Sequence, residues 1–292
     1  MDEAIKHHLQ KDIKERTRLT GGYTFETWLL TLSDNEKVIF RTQRDFKTTG
    51  GREIIIADVL EREKFFYDTV NKEIGHTCPQ VYVVDGTKTH FDMPFCLMEY
   101  IEGTPPPLND EIGYKIGETV AKINGIKIDP THPYIADRGS WEDFFANRLY
   151  ERLIANITSG VITQDEINKI ISRLRQKKAK ETLSFLHLDM RRVNMIYSNG
   201  KIFILDAENC EFGDPLFELA TIDNADELYP AVLEGYKNAC HADINLDDDL
   251  YLFYKMERAA LVLYVFTEEV KNDPESRQLY LKKFNELKER LL

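Results

Sequence analysis

The stretch FLHLDMRRVNMIYSNGKIFILDAEN, residues 185–209, sets His187, Asp189, Asn194 and Asp206 around a single turn, with Arg191 and Arg192 between them. Its centre is Asn199-Gly200, flanked by two β-rich arms. That dipeptide is a strong hairpin signal, because both central residues of a type I′ turn need positive φ. Pairing Ser198 with Lys201 then sets Tyr197 opposite Ile202, Met195 opposite Ile204 and Asn194 opposite Leu205. Asn194 and Asp206 become diagonal neighbours at the open end of the ribbon, and Asp189 precedes Asn194 by five residues.

Three oxygen-bearing side chains gathered at one ribbon mouth suit a hard cation, and Mg²⁺ is held by one or two protein ligands together with substrate phosphates. The spacing H-x-D-x-x-x-x-N with a later Asp also supplies what phosphoryl transfer needs: a carboxylate to orient or deprotonate an attacking hydroxyl, and two metal holders. His187 reads as a hydrogen-bonded brace for the loop.

Upstream, GGYTFETWLLTL and EKVIFRTQ read as two antiparallel strands joined at the turn-forming SDNE. Apolar residues then recur at helical spacing (Ile56, Val59, Leu60, Phe65, Phe66, Val70), followed by two short strands, QVYVVDG and FCLMEYIEG. TPPPLND breaks the chain after Gly103, and helical patterns follow over 110–124, 140–158, 163–178, 226–239, 246–268 and 274–292. Asp247, Asp248 and Asp249 read as a solvated helix start. The organisation expected is therefore α+β: a small β-rich lobe over 1–100, a linker near 99–105 and a larger helical lobe over 101–292.

A chain of 292 residues with 42% hydrophobic content can bury a core without disulfides or metals. Its formal charge of −12 argues against nucleic acid as partner. No window is long and apolar enough for a bilayer, and the charged N-terminus carries no signal-peptide pattern, so the expectation is a cytoplasmic protein without a membrane partner. Cys78, Cys96, Cys210 and Cys240 are scattered, and three of them read as buried free thiols. His7 and His8 read as solvent-facing on a polar helix. The oligomeric state is not legible.

HLDMRRVN, ILDAEN and GDPLFELA resemble the catalytic loop, metal strand and following segment of the aminoglycoside phosphotransferase family, small-molecule kinases with a bilobal protein-kinase-like fold. The resemblance implies that Asp189 is the catalytic base, that Asn194 and Asp206 hold Mg²⁺, and that Asp214 is structural. Leu188 replaces the usual Gly and Glu218 the common Asp; a Leu gives up the conformational freedom a Gly would bring beside the base. Gly21 and Gly22 correspond to the phosphate-covering turn. Arg41 stands where kinases carry the strand-three Lys, with Glu63 as helix partner, although a strand-end Arg can also simply be exposed. Met98 would line the adenine slot, with the backbone of Glu99 and Ile101 pairing to the base.

These readings imply a kinase using ATP, or GTP as the alternative, with Mg²⁺, to phosphorylate a hydroxyl of a small molecule. An aminoglycoside-type antibiotic leads as acceptor; the alternatives are choline, homoserine or a sugar, and, in another class, a non-catalytic nucleotide-binding pseudokinase. Residues 207–250 hold 12 acids against one base, Lys237, so the acceptor expected is cationic, met by Asp223, Asp226 and Glu227.

Overall fold

The computed structural model describes residues 1–20, 25–43, 48–49, 52–53, 56–127, 129, 139–178, 183–240, 244–267 and 273–292. They fall into two compact units, one comprising Met1–Thr48, Glu53–Pro107 and Arg192–Cys210, the other Thr49–Arg52, Leu108–Arg191 and Glu211–Leu292.

In the first unit α1 (Asp2–Leu9) precedes β1 (Ile13–Leu19), β2 (Phe25–Leu32) and β3 (Lys37–Gln43); along the chain the short strands β4 (Thr48–Thr49) and β5 (Arg52–Glu53) come next. Then follow α2 (Ile56–Ile74), β6 (Val81–Asp85) and β7 (Phe95–Glu99). The sheet is antiparallel in the order β1-β2-β3-β7-β6. Asn35, at φ 69°, supplies the left-handed residue of the SDNE turn, and the Glu36 amide donates to Asp34. Leu30, Leu32, Val38, Phe40, Phe95 and Leu97 pack with Ala4 and Ile5 of α1 into one core. His8 shares that inward face of α1 and bonds Asp85 at 3.1 Å, so it does not point to solvent as the sequence suggests; His7 stacks on His90.

The inward stripe of α2 is Val59, Leu60, Glu63, Phe66, Tyr67 and Val70, all buried. A carboxylate in the middle of an apolar stripe is tolerated only with partners, and this position is where the first unit builds its polar site. β9 (Met195–Ser198) and β10 (Lys201–Ile204) also belong to this unit and pair in the register read from the turn, with Asn199 at φ 50° and Gly200 at φ 81°.

The second unit is mainly helical: α3 (Asp110–Asn124), α4 (Trp141–Ile154), α5 (Gln164–Leu174), α6 (Pro215–Asn224), α7 (Pro230–Cys240), α8 (Asp249–Val265) and α9 (Pro274–Leu291). β8 (Ser184–Leu186) and β11 (Glu211–Gly213) form a small antiparallel pair. Asn109, Ser140, Thr163 and Asp248 cap their helices with side-chain oxygens, each satisfying an otherwise orphan amide. α3 and α7 pack backbone to backbone: a Cβ on Gly117 would meet the Val232 carbonyl, and one on Gly235 the Tyr114 carbonyl. This approach lets Asn124 accept from Tyr236 Oη at 2.9 Å and donate to the Phe185 carbonyl at 2.8 Å, fixing β8 just ahead of the motif loop. Cys78, Cys96 and Cys210 are buried free thiols. No helix among the described residues is long and apolar enough to cross a membrane.

Candidate active site

β8 ends at Leu186, and a buried side chain from α6 holds the first two amides of the loop that follows. Glu218 accepts the amide of His187 at 2.5 Å and that of Leu188 at 3.0 Å. Burial pushes its carboxyl up to about 7, against the two backbone amides that favour the charged form. Leu188 adopts φ 61° with its side chain buried, so the loop takes the left-handed conformation that a glycine would adopt freely, correcting the expectation drawn from the Leu replacement. That conformation costs a non-glycine residue about 1–2 kcal/mol, offset here by the Glu218 bonds and the burial of the Leu side chain.

His187 is fully buried, and its Nδ1 accepts the Asp189 amide at 3.1 Å, which makes it the brace the sequence suggests. Asp189 is buried, and Arg191 grips it in a fork, Nε to Oδ1 and Nη2 to Oδ2, both 2.8 Å. Arg258 of α8 donates to the same carboxylate. Burial alone would raise the Asp189 pKa; Arg258 and then Arg191 overcome this and hold it well below the usual carboxylate range. Asp214 caps α6 through the Leu216 amide at 2.9 Å and accepts from Tyr254 Oη, which in turn takes the Trp141 indole N–H at 3.0 Å.

In the first unit, the Leu205 amide donates to the Asn194 carbonyl at 2.8 Å, extending the hairpin by one pair and setting Asn194 and Asp206 at its mouth. Asp206 sits at φ 64°, its amide donating to Tyr67 Oη at 2.7 Å. Tyr67 Oη donates onward to Glu63 at 2.7 Å, and the Ala207 amide reaches Glu63 at 3.2 Å. Arg41 is buried and donates Nη1 to both Glu63 oxygens, at 2.6 and 2.7 Å, and Nη2 to Asp206. Its guanidinium also lies 4.0 Å from the centroid of the Phe25 ring. Burial would lower the Arg41 pKa, but Glu63 and then Asp206 raise it well above its ordinary value. Arg41, Glu63 and Asp206 thus come together.

Met98 is buried in β7 opposite Ile39 and Val81, and Ile101 is buried beyond the strand. The Glu99 amide donates to the Gln80 carbonyl at 2.8 Å, and its carboxylate accepts from the Gln80 amide and bonds His76. Gly21 and Gly22 lie outside the described residues. Asp223 accepts from Tyr251 Oη at 2.9 Å and pairs with Lys255 at 2.7 Å, and Asp226 pairs with Lys283 at 2.8 Å. Two of the three carboxylates expected to meet a cationic acceptor are therefore already paired with lysines. The Glu227 amide closes the turn onto the Ile222 carbonyl.

Sequence reasoning missed Arg258, Glu257, Arg148, Arg152 and Tyr67. Glu257 is fully buried and accepts the Nε of Arg148 at 2.8 Å and of Arg152 at 3.3 Å. The available signal was Glu257-Arg258 inside an otherwise apolar stretch of α8, since charges buried there require partners.

Several solved structures share this fold. A protein assigned as a fructosamine-3-kinase from Haemophilus somnus 129PT superposes with a TM-score of 0.74 at 17% identity, over 100% of this chain and 96% of that one. A thermostable mutant of the aminoglycoside phosphotransferase APH(4)-Ia gives 0.70 at 12%, over 99% of each chain. The ternary complex of APH(2'')-IIa with streptomycin and ATP gives 0.66 at 16%, over 97% and 96%. At these identities the likeness establishes the protein-kinase-like α+β fold. No curated protein sequence gives a significant match. Residues 15–247 match the model of the phosphotransferase enzyme family, to which this chain belongs, as a phosphotransferase acting on a hydroxyl group.

Proposed function

We propose that the protein is a Mg²⁺- and ATP-dependent kinase that phosphorylates a hydroxyl of a small molecule, with Asp189 as the base and Asn194 and Asp206 as the metal holders. The observation that carries this reading is the hairpin mouth, where Asn194 and Asp206 lie at adjacent register positions, Arg41 holds the Asp206 carboxylate, and Glu63 anchors both Arg41 and the Tyr67 hydroxyl that takes the Asp206 amide. Hard oxygen donors, one or two per ion, fit Mg²⁺ bound with phosphates. When bound, the ion would neutralise charge on the nucleotide phosphates. ATP in one related structure supports the choice of nucleotide, with GTP as the alternative.

In the reaction, the acceptor oxygen attacks the γ-phosphorus and forms the new P–O bond while the bond to the β,γ-bridging oxygen breaks and ADP leaves. The hydroxyl proton passes to Asp189, which His187 and Glu218 hold in place through the loop backbone. Arg41, released from Asp206, would hold phosphate oxygens. Met98 would line the adenine slot, and the backbone of Ile101 and the carbonyl of Glu99, whose amide is taken by Gln80, would pair with the base. Dependence on ATP fits a cytoplasmic setting.

An aminoglycoside acceptor is the finer reading, and the streptomycin held by one related protein supports it. The lysine partners of Asp223 and Asp226 weaken it. Calorimetry with a non-hydrolysable ATP analogue, with and without Mg²⁺, tests the kinase reading. Mg²⁺-dependent binding is expected, and its absence would overturn the proposal.

A further inference from the structure

Around Asp189 the second unit carries more positive than negative charge. Arg191 and Arg258 converge on the Asp189 carboxylate, while Arg148 and Arg152 converge on one oxygen of Glu257, the residue adjacent to Arg258. Among the described residues, these two carboxylates are thus met by four guanidinium groups. Glu218, the next acid, is engaged with the loop amides. The lysines that approach from α8 and α9, Lys255 and Lys283, pair with Asp223 and Asp226 and cancel the acidic charge that would otherwise offset the arginines.

Three of the four guanidinium groups, those of Arg148, Arg152 and Arg258, are largely shielded from solvent. Arg258 is buried, and burial, followed by repulsion from Arg148, pushes Arg152 below its ordinary value. Arg191 is the most open member, with its side chain 40% exposed, so an incoming ligand meets a guanidinium beside the base before it meets the base. Tyr280 of α9 lies within electrostatic reach of Arg258, Arg191, Asp226 and Asp189, its ring stacked on Phe266.

A carboxylate gripped by two guanidiniums is a poor acceptor of a proton, and an excess of forked, partly desolvated donors is complementary to an oxyanion. We propose, on the basis of the kinase reading above, that the acceptor carries a carboxylate or a phosphate ester besides its reactive hydroxyl, and that Arg258 and Arg191 pass from Asp189 to that group as the acceptor binds. Recognition of the acceptor and release of the base are then one event. A neutral or cationic alcohol offers the arginines nothing in exchange and leaves Asp189 clamped.

The test is ADP release by the full chain with ATP and Mg²⁺, using glucose, glucosamine, glucuronate and glucose 6-phosphate as probes that share a ring and differ in charge. An anionic probe should exceed glucose in kcat/KM by at least about tenfold, and which of the two does so separates carboxylate from phosphate. Arg258→Gln should shrink the anionic-to-neutral ratio by about tenfold, mainly through KM, and Arg258→Lys should restore part of it. Arg191→Gln, at the more open position, should give the same collapse and covers the case in which the buried variant does not fold. Preference for glucosamine or glucose, an unchanged ratio in the variants, or ADP release no faster than with water for every probe would overturn the inference. Failure to bind Mg²⁺ and ATP, read independently by calorimetry, is what would overturn the kinase reading itself.

Discussion

Arg258 and Arg191 donate to the same oxygen of Asp189, so a residue of α8 and the residue two positions along the loop share one buried carboxylate. The motif alone suggests that replacing Asp189 touches only the chemistry. The pairing says otherwise. Asp189→Asn should lower turnover by at least about a hundredfold. It should also destabilise the fold by about 3 kcal/mol, because two guanidinium groups lose their counter-charge. ADP release and urea unfolding of the same preparation check both parts; an unchanged unfolding midpoint would mean the arginines find other partners.

Asp189 and Glu218 pull the pH dependence of stability in opposite directions. The Asp189 pKa is depressed by folding, so its stabilisation is present above about pH 4 and is lost as the pH falls below that. The Glu218 pKa rises from 4.5 to about 7, so the folded state holds that proton more tightly, and stability declines as pH climbs from 4.5 towards 7. Unfolding midpoints measured across this range should fall for the wild type and stay flat for Glu218→Gln.

Leu188 combines a left-handed backbone with a buried side chain. Leu188→Gly should relieve about 1–2 kcal/mol of backbone strain and lose about 2–5 kcal/mol of packing, a net destabilisation. Leu188→Ala keeps the strain and loses most of the packing, so the expected order of stability is Leu, then Gly, then Ala. Finding Ala more stable than Gly would show that the backbone relaxes out of the left-handed region.

Asp206→Ala should abolish the Mg²⁺ dependence of nucleotide affinity, since Asn194 alone offers only a neutral oxygen. Titration of a non-hydrolysable ATP analogue at several Mg²⁺ concentrations is the measurement. Retained Mg²⁺-linked affinity would move the metal away from the hairpin mouth.

What could be read from the chain was whatever short-range geometry dictates. Asn199-Gly200 determines the hairpin register from a two-residue turn, and α3 follows its periodic pattern from Asp110 to Asn124. α6 is legible only as a motif because nearly every side chain in it is buried, which leaves no amphipathic period to detect. β1 shows almost no apolar alternation, since its middle residues are exposed. Within the site, His187 and Glu218 are placed by local bonds to the loop, whereas Arg258 arrives 69 residues after Asp189 through helix packing. Counting acids over 207–250 likewise left out Lys255 and Lys283, which lie beyond that window and neutralise two of them.

Arg41 joins Glu63 to Asp206, so the acid at the hairpin mouth already has a resident counterion. On the kinase reading, an ion held by Asp206 would compete with this guanidinium for the carboxylate, and Arg41, still anchored on Glu63, would be free to turn to phosphate oxygens. The measured Mg²⁺ affinity would report the difference between two occupants of Asp206. Arg41→Met, by removing the incumbent, would tighten binding of the bare ion while weakening binding of its complex with ATP.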